Sequence, residues 1–165
     1  MIDIIIPVFK EGKNIQKLLD KLNSINLNKI ISICYDYEED PTLKYIKGYS
    51  NKRKVKNPSR GPTLAILEGI KTTKCKVVVV YMADDFDNVD LIPKMYDKII
   101  NGYDLIVPSR FINGGKFNSN NFYKKNITKI GSFLVNKISG IPFKDTTNAF
   151  KMFKIEILKS FEIKS

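Results

Sequence analysis

The chain has 165 residues, 43% of them hydrophobic and 27% charged, which suits one domain with one sizeable core. No run approaches the ~18 apolar residues of a membrane span. The absence of histidine excludes Ser-His-Asp and Cys-His catalysis and histidine-based zinc sites. Lys and Arg number 28 against 17 Asp and Glu, a net charge of +11 that favours anionic partners: nucleotides, phosphates, nucleic acid or an anionic membrane face.

The predicted elements alternate along the chain. Ile2–Val8 reads as a buried strand, and Met1-Ile2-Asp3 runs straight into it without a signal peptide. Ile15, Leu18, Leu19, Leu22 and Ile25 recur at helical spacing. Lys29–Tyr35 is a second strand, and Val55 marks a short third one. The basic run Lys52, Arg53, Lys54, Lys56 and Arg60 reads either as an anion-binding cluster or as an edge strand protected by solvated cations. Gly61-Pro62 opens a helix with Leu64, Leu67 and Ile70 on its apolar face, proline being well placed in a first turn.

Val77–Tyr81 is the next strand, and Asp90-Leu91-Ile92-Pro93 starts a helix carrying Met95, Tyr96 and Ile99. Asp104–Pro108 reads as a strand and Asn113-Gly114-Gly115 as a loop. Phe122–Ile138 reads as a basic helix with an apolar stripe of Ile127, Ile130, Leu134 and Ile138. Ala149–Phe153 is a last strand. Cys34 and Cys75 lie in or beside apolar strands and read as buried thiols of a reducing, cytoplasmic compartment. The Asn126-Ile127-Thr128 sequon is then a chance match. This rhythm predicts an α/β domain with a mostly parallel sheet, spanning 1–165.

Ligands of such sheets bind outside the carboxyl ends of the strands. Those ends carry Pro7, Phe9 and Glu11; Asp36, Glu38, Glu39 and Asp40; Asp84, Asp85 and Asp87; and Ser109 and Arg110. Clustered carboxylates there suit Mg²⁺ or Mn²⁺ holding a substrate phosphate, and Arg110 suits a phosphate leaving group. The plainer reading of the third group is a helix start capped by Asp87, Asn88 or Asp90. No G-x-G-x-x-G follows the first strand, and Arg110 and Phe117 break a P-loop at Gly115-Lys116.

These residues resemble the catalytic domain of family 2 glycosyltransferases, nearest to dolichol-phosphate mannosyltransferase-like enzymes. Ile4-Ile5-Ile6-Pro7-Val8-Phe9-Lys10-Glu11 is similar to "IIPVYNE", and Cys34–Thr42 to "VDDGSxDGT" with Asp36 at the base-binding aspartate. Arg60–Ala65 resembles the "xGxxxA" helix start, and Tyr81-Met82-Ala83-Asp84 stands at "MDAD". Pro108–Phe111 matches "GSRY", and Asp145–Lys151 resembles "DxxSGFR". The resemblance implies a Rossmann-like, three-layer GT-A fold with a mostly parallel mixed sheet. It implies a nucleotide-diphosphate sugar donor bound by Pro7, Phe9, Glu11, Asp36, Arg60, Ala83 and Asp84, with Mg²⁺ or Mn²⁺ as cofactor.

Met82 stands where the family has its first metal-motif aspartate, so either Asp85 and Asp87 join Asp84 as metal ligands or Asp84 alone binds a largely hydrated ion. The expected reaction is inverting transfer to a polyisoprenyl phosphate or a glycan. Arg110 and Lys125 would position phosphates, and Asp145 would serve as base for a hydroxyl acceptor. Lys124, Lys125, Lys129 and Lys137 either lie in water or seat the Phe122–Ile138 helix on an anionic membrane face. Two other readings stay open: a non-catalytic sugar-nucleotide domain and a nucleic-acid-binding domain, although acidic strand ends would repel a nucleic-acid backbone. The chain is shorter at its C-terminus than the family pattern.

Overall fold

The computed structural model describes residues 1–109 and 148–160. It divides into two compact units, Met1–Ile106 with Met152–Ser165, and Val107–Lys151. The elements are β1 (Ile2–Val8), α1 (Asn14–Ser24), β2 (Lys29–Tyr35), a 3₁₀ turn (Pro41–Lys44), β3 (Lys52–Lys56), α2 (Pro62–Thr72), β4 (Val77–Val80), α3 (Leu91–Ile100), β5 (Leu105–Ile106), β6 (Lys151–Lys154) and a second 3₁₀ turn (Ile155–Ser160).

The strands form one sheet in the order β3-β2-β1-β4-β6-β5. β1 pairs in parallel with β2 and β4, and β2 pairs in parallel with β3. β5 and β6 are antiparallel, so the sheet is mixed. A central parallel strand is covered on both faces and reads as a near-continuous apolar run. Every residue of β1 is buried accordingly.

The path moves outward from β1 to β2 and β3, then crosses back to β4. Right-handed crossovers therefore put α1 and α2 on opposite faces, giving three layers. α1 buries Ile15, Leu18, Leu19 and Leu22, as its spacing predicts. α2 departs from expectation. Its buried residues are Ala65 and Gly69, not Leu64, Leu67 and Ile70. A Cβ on Gly69 would lie 2.8 Å from both Cys34 Sγ and Ile5 Cγ2, so the helix packs close through its small residues. Leu64, Leu67 and Ile70 move to the flank, where with Ile155 and Leu158 they line a groove of about 410 Å³.

Three strands are placed differently from the sequence expectation. β4 ends at Val80, β5 is only Leu105–Ile106, and β6 begins at Lys151 rather than Ala149. The β5–β6 ladder joins Leu105 to Phe153 and Ile106 to Met152, and this short pairing sets their ends. In the second unit, Asn148 Nδ2 donates to the Pro108 carbonyl at 2.8 Å, and its Oδ1 accepts the Phe150 N–H at 3.0 Å. Among the described residues no helix is long and apolar enough to cross a membrane.

The basic edge strand β3 is also more than a solvated cation row. Lys54 and Lys56 are exposed, but Arg53 turns inward to Asp3 at 3.0 Å. It also donates to Ser32 Oγ, to the Thr72 carbonyl and hydroxyl, and to the Gly69 carbonyl. Ser32 Oγ donates to Asp3 at 2.6 Å. One guanidinium thus fastens β1, β2, β3 and the last turn of α2, with its fork of donors satisfied.

Candidate functional site

The parallel register brings the carboxyl ends of β1, β2 and β4 to one rim: Pro7 faces Cys34, Val8 faces Tyr35, and Ile5 faces Val80. The pairing of β1 with β4 continues one step, the Tyr81 N–H donating to the Ile5 carbonyl at 2.9 Å. Pro7 and Ala83 are buried in the rim. Phe9 stands 55% exposed beyond β1. Its ring lies 6.1 Å from that of Tyr37, and the Arg60 guanidinium lies 5.0 Å from the Tyr37 ring centroid. These side chains form an aromatic and cationic ledge beside Asp36.

The loops after β1 and β2 are clamped together by Asp40. Its Oδ2 accepts the Lys10 N–H and its Oδ1 the Thr42 N–H, both at 2.8 Å. Thr42 Oγ1 accepts the Gly12 N–H at 3.3 Å. Burial alone would raise the Asp40 carboxyl, but hydrogen bonds from Thr42 and Lys10 outweigh it and hold the group below the usual value. Lys10 adopts φ +58°, a left-handed conformation that asparagine takes more readily than lysine. The family pattern has asparagine at this place.

Glu11 and Asp84 face one another electrostatically across the rim. Burial first, and then the Asp84 charge, push the Glu11 carboxyl above its ordinary value; the Phe9 N–H pulls it down, and Asp40 adds to the rise. Asp84 is exposed and makes no hydrogen bond or ion pair among the described residues. Two hard oxygen donors that repel each other fit a divalent cation such as Mg²⁺ or Mn²⁺, with most of its shell supplied by water and substrate oxygens.

Asp84, Asp85 and Asp87 do not form a metal cage together. Among the described residues no group of three or more Asp, Glu, Cys or His side chains is placed to hold a metal ion. Asp85 serves the turn instead. Its carboxylate accepts the backbone N–H groups of Asp87 and Asn88 at 3.2 Å and the Asn88 side-chain amide at 2.9 Å. The approach to α3 is therefore fixed by Asp85, and Asp90 at the N-cap makes no side-chain cap. Tyr81 is fully buried, its hydroxyl held well above the usual value by burial and by Asp85.

Asp36 is gripped rather than free. Its Oδ1 accepts Asn57 Nδ2 at 2.7 Å and its Oδ2 accepts the Gly61 N–H at 2.9 Å. Sequence reasoning gave Asn57 no part, because an asparagine before proline reads as an ordinary turn residue. Tyr37 was missed as well, although an aromatic residue next to a strand-end carboxylate is a usable signal. Arg110, Lys125, Asp145, the Asn113–Gly115 loop and the Phe122–Ile138 helix lie outside the described residues.

Residues 3–161 match the sequence profile of glycosyl transferase family 2. The dolichol-phosphate mannosyltransferase of Pyrococcus furiosus is 30% identical over 172 residues, covering 98% of this chain and 48% of that protein. The dolichyl-phosphate hexose transferase of Haloferax volcanii is 24% identical over 161 residues, covering 96% of this chain and 68% of that one. The chain thus spans about half the length of the first of these relatives. A solved structure of glucosyl-3-phosphoglycerate synthase from Mycobacterium tuberculosis, in complex with Mn²⁺, UDP and glucosyl-3-phosphoglycerate, superposes with a TM-score of 0.75 at 15% identity. That superposition covers 98% of this chain and 59% of the other, and it speaks for the fold alone. Motif order, family profile and fold agree: the chain belongs to glycosyl transferase family 2 and has the GT-A fold.

Proposed function

We propose that the chain is the catalytic domain of an inverting glycosyltransferase. It moves a sugar from a nucleoside-diphosphate sugar to a polyisoprenyl phosphate. The observation that carries this reading is the convergence of Glu11, Asp36 and Asp84 on one rim, from three adjacent parallel strands. The acceptor class is supported by the names of the archaeal relatives.

Asp36 and the Phe9–Tyr37 ledge hold the nucleoside. Asp84, with Glu11 across the rim, would hold a divalent cation, and that ion would supply positive charge to neutralise the departing diphosphate. The acceptor oxygen forms a bond to the anomeric carbon as the bond to the diphosphate oxygen breaks, and the diphosphate leaves with the electron pair. A phosphate acceptor is already anionic at neutral pH and needs no base. Arg110 and Lys125 position the donor and acceptor phosphates, and Asp145 takes the proton where the acceptor is a hydroxyl. The lysines of 122–138 bring the domain to an anionic membrane face, where the lipid acceptor resides. Salt-sensitive flotation with anionic liposomes is the expected result.

Titration calorimetry with UDP, GDP and their sugar conjugates, with and without Mn²⁺, tests the donor. Metal-dependent binding of one nucleotide, abolished in Asp84→Ala, is expected; no binding of any of them overturns the reading. Transfer to a short-chain polyprenyl phosphate, with the product anomer read by NMR, tests the acceptor and the inversion. A second reading, nucleotide binding without transfer, is favoured by Met82 in the metal motif and by the engagement of Asp85 in its turn. Tight nucleotide binding with no turnover on any acceptor would establish it.

A further inference from the structure

Asn57 lies just beyond β3 and is 3% exposed. Its backbone N–H donates to the Tyr35 carbonyl at 2.8 Å, which extends the β2–β3 ladder and sets the residue beside Asp36. The side-chain amide has one admissible orientation. A carboxylate only accepts, so Nδ2 must face Asp36; the Ser59 N–H only donates, so Oδ1 must face Ser59. The distances agree: 2.7 Å from Nδ2 to Asp36 Oδ1, and 3.2 Å from the Ser59 N–H to Oδ1. The second amide hydrogen points to the Gly61 carbonyl at 3.4 Å. Gly61, at φ +109°, donates its own N–H to the other Asp36 oxygen.

Asp36 is therefore held on one oxygen by a side chain and on the other by the backbone, which fixes the carboxylate plane. Among the described residues it has no ion pair. Each oxygen keeps lone-pair capacity for one more donor. A salt bridge would have spent that capacity on a protein cation. The adjoining Phe9–Tyr37 ledge suits a flat ligand.

We propose that Asn57 is a positioning residue for nucleobase recognition: it holds the Asp36 carboxylate so that its free lone pairs meet the N–H edge of the base. This rests on the nucleoside-diphosphate reading of the rim. Asn57 touches no ligand itself; it acts through Asp36. A residue that merely closed the 57–61 turn would affect every ligand of the rim alike.

The test is titration of the whole chain with UDP, GDP and, as a base-free probe, inorganic diphosphate, all with Mn²⁺. For the nucleotide that binds the parent chain, Asn57→Ala is expected to weaken binding roughly tenfold, the usual effect of losing one charge-assisted hydrogen bond. Inorganic diphosphate should bind as before. Asn57→Ala should add nothing further once Asp36→Asn is present. Asn57→Asp keeps the acceptor for the Ser59 N–H, and hence the turn, but sets a carboxylate against Asp36. Its nucleotide binding should fall at least as far as that of Asn57→Ala, although the turn is kept.

Unchanged nucleotide binding in Asn57→Ala overturns the role of Asn57 alone. Equal losses for nucleotide and inorganic diphosphate overturn it as well. A parent chain that binds neither nucleotide overturns the reading of the rim, and this inference with it.

Discussion

The two ends of the parallel strands treat their carboxylates differently. At the amino end, Asp3 is 1% exposed and fully answered by Arg53 and Ser32. At the carboxyl end, Glu11 and Asp84 repel each other, and among the described residues Asp36 is held by neutral donors. A buried charge is tolerated when its partners satisfy it, and a group left in repulsion lowers stability. The closed end thus holds the sheet together, while the open end keeps negative charge that, on the proposed function, a ligand neutralises.

The largest expected effect comes from breaking the closed end. Arg53→Ala leaves Asp3 without its cation and frees the Thr72 and Gly69 carbonyls. A loss of about 3 kcal/mol in denaturant unfolding is expected, the lower part of the range for breaking a buried pair, because Arg53 is 28% exposed. A loss below about 1 kcal/mol would mean that the pair is only a surface ion pair.

At the open end the largest effect belongs to Asp40→Ala. It leaves the backbone N–H groups of Lys10 and Thr42 without their acceptor, a cost of about 2 kcal/mol. It also loosens the loop that carries Phe9 and Glu11, so ligand binding should weaken with it. The pH dependence has a definite sign. The Asp40 carboxyl is depressed in the fold, so its contribution is present above the unfolded carboxylate value and fades as pH falls through the folded one. Unfolding curves of parent and variant should therefore converge in acid.

The closed end also contains Gly69, whose carbonyl accepts from Arg53. Gly69→Ala sets a methyl 2.8 Å from Cys34 Sγ and Ile5 Cγ2. Overpacking costs about 1–3 kcal/mol, and the better helix propensity of alanine returns about 1. A net loss of about 1 kcal/mol is expected by thermal unfolding.

How far the sequence could be read follows the same division. β1, β2 and α1 were legible because apolar residues dominate the two seven-residue strands and recur at helical spacing along the helix. The face of α2 was not, since hydrophobicity points to Leu64 and Leu67 while close approach is governed by Ala65 and Gly69. Two-residue β5 has its ends set by pairing with β6, which local sequence does not encode. At the rim, strand ends located Glu11, Asp36 and Asp84. Which of three neighbouring aspartates serves the turn depends on backbone geometry, so Asp85 could not be told from Asp84. Asn57 and Arg53 were hidden for one reason: their partners lie 21 and 50 residues away in the chain.

The smallest effect on stability is the most informative about the open end. Asp84→Asn removes one side of the repulsion with Glu11. The raised Glu11 carboxyl makes folding costlier once it is ionised, and part of that cost comes from Asp84. The sign is therefore opposite to that of Asp40. The penalty is absent below the unfolded value of Glu11, where the group is protonated in both states, and complete above its folded value. Asp84→Asn should raise the melting temperature by about a degree or two near neutral pH and by nothing in acid. It should also lower the Glu11 titration midpoint, read by NMR on carboxyl-labelled protein. Metal-dependent nucleotide binding should be lost at the same time. A substitution that steadies the fold while removing the ligand marks a charge retained for binding. If Asp84→Asn instead destabilises the protein, the rim carboxylates are structural and the contrast between the two ends fails.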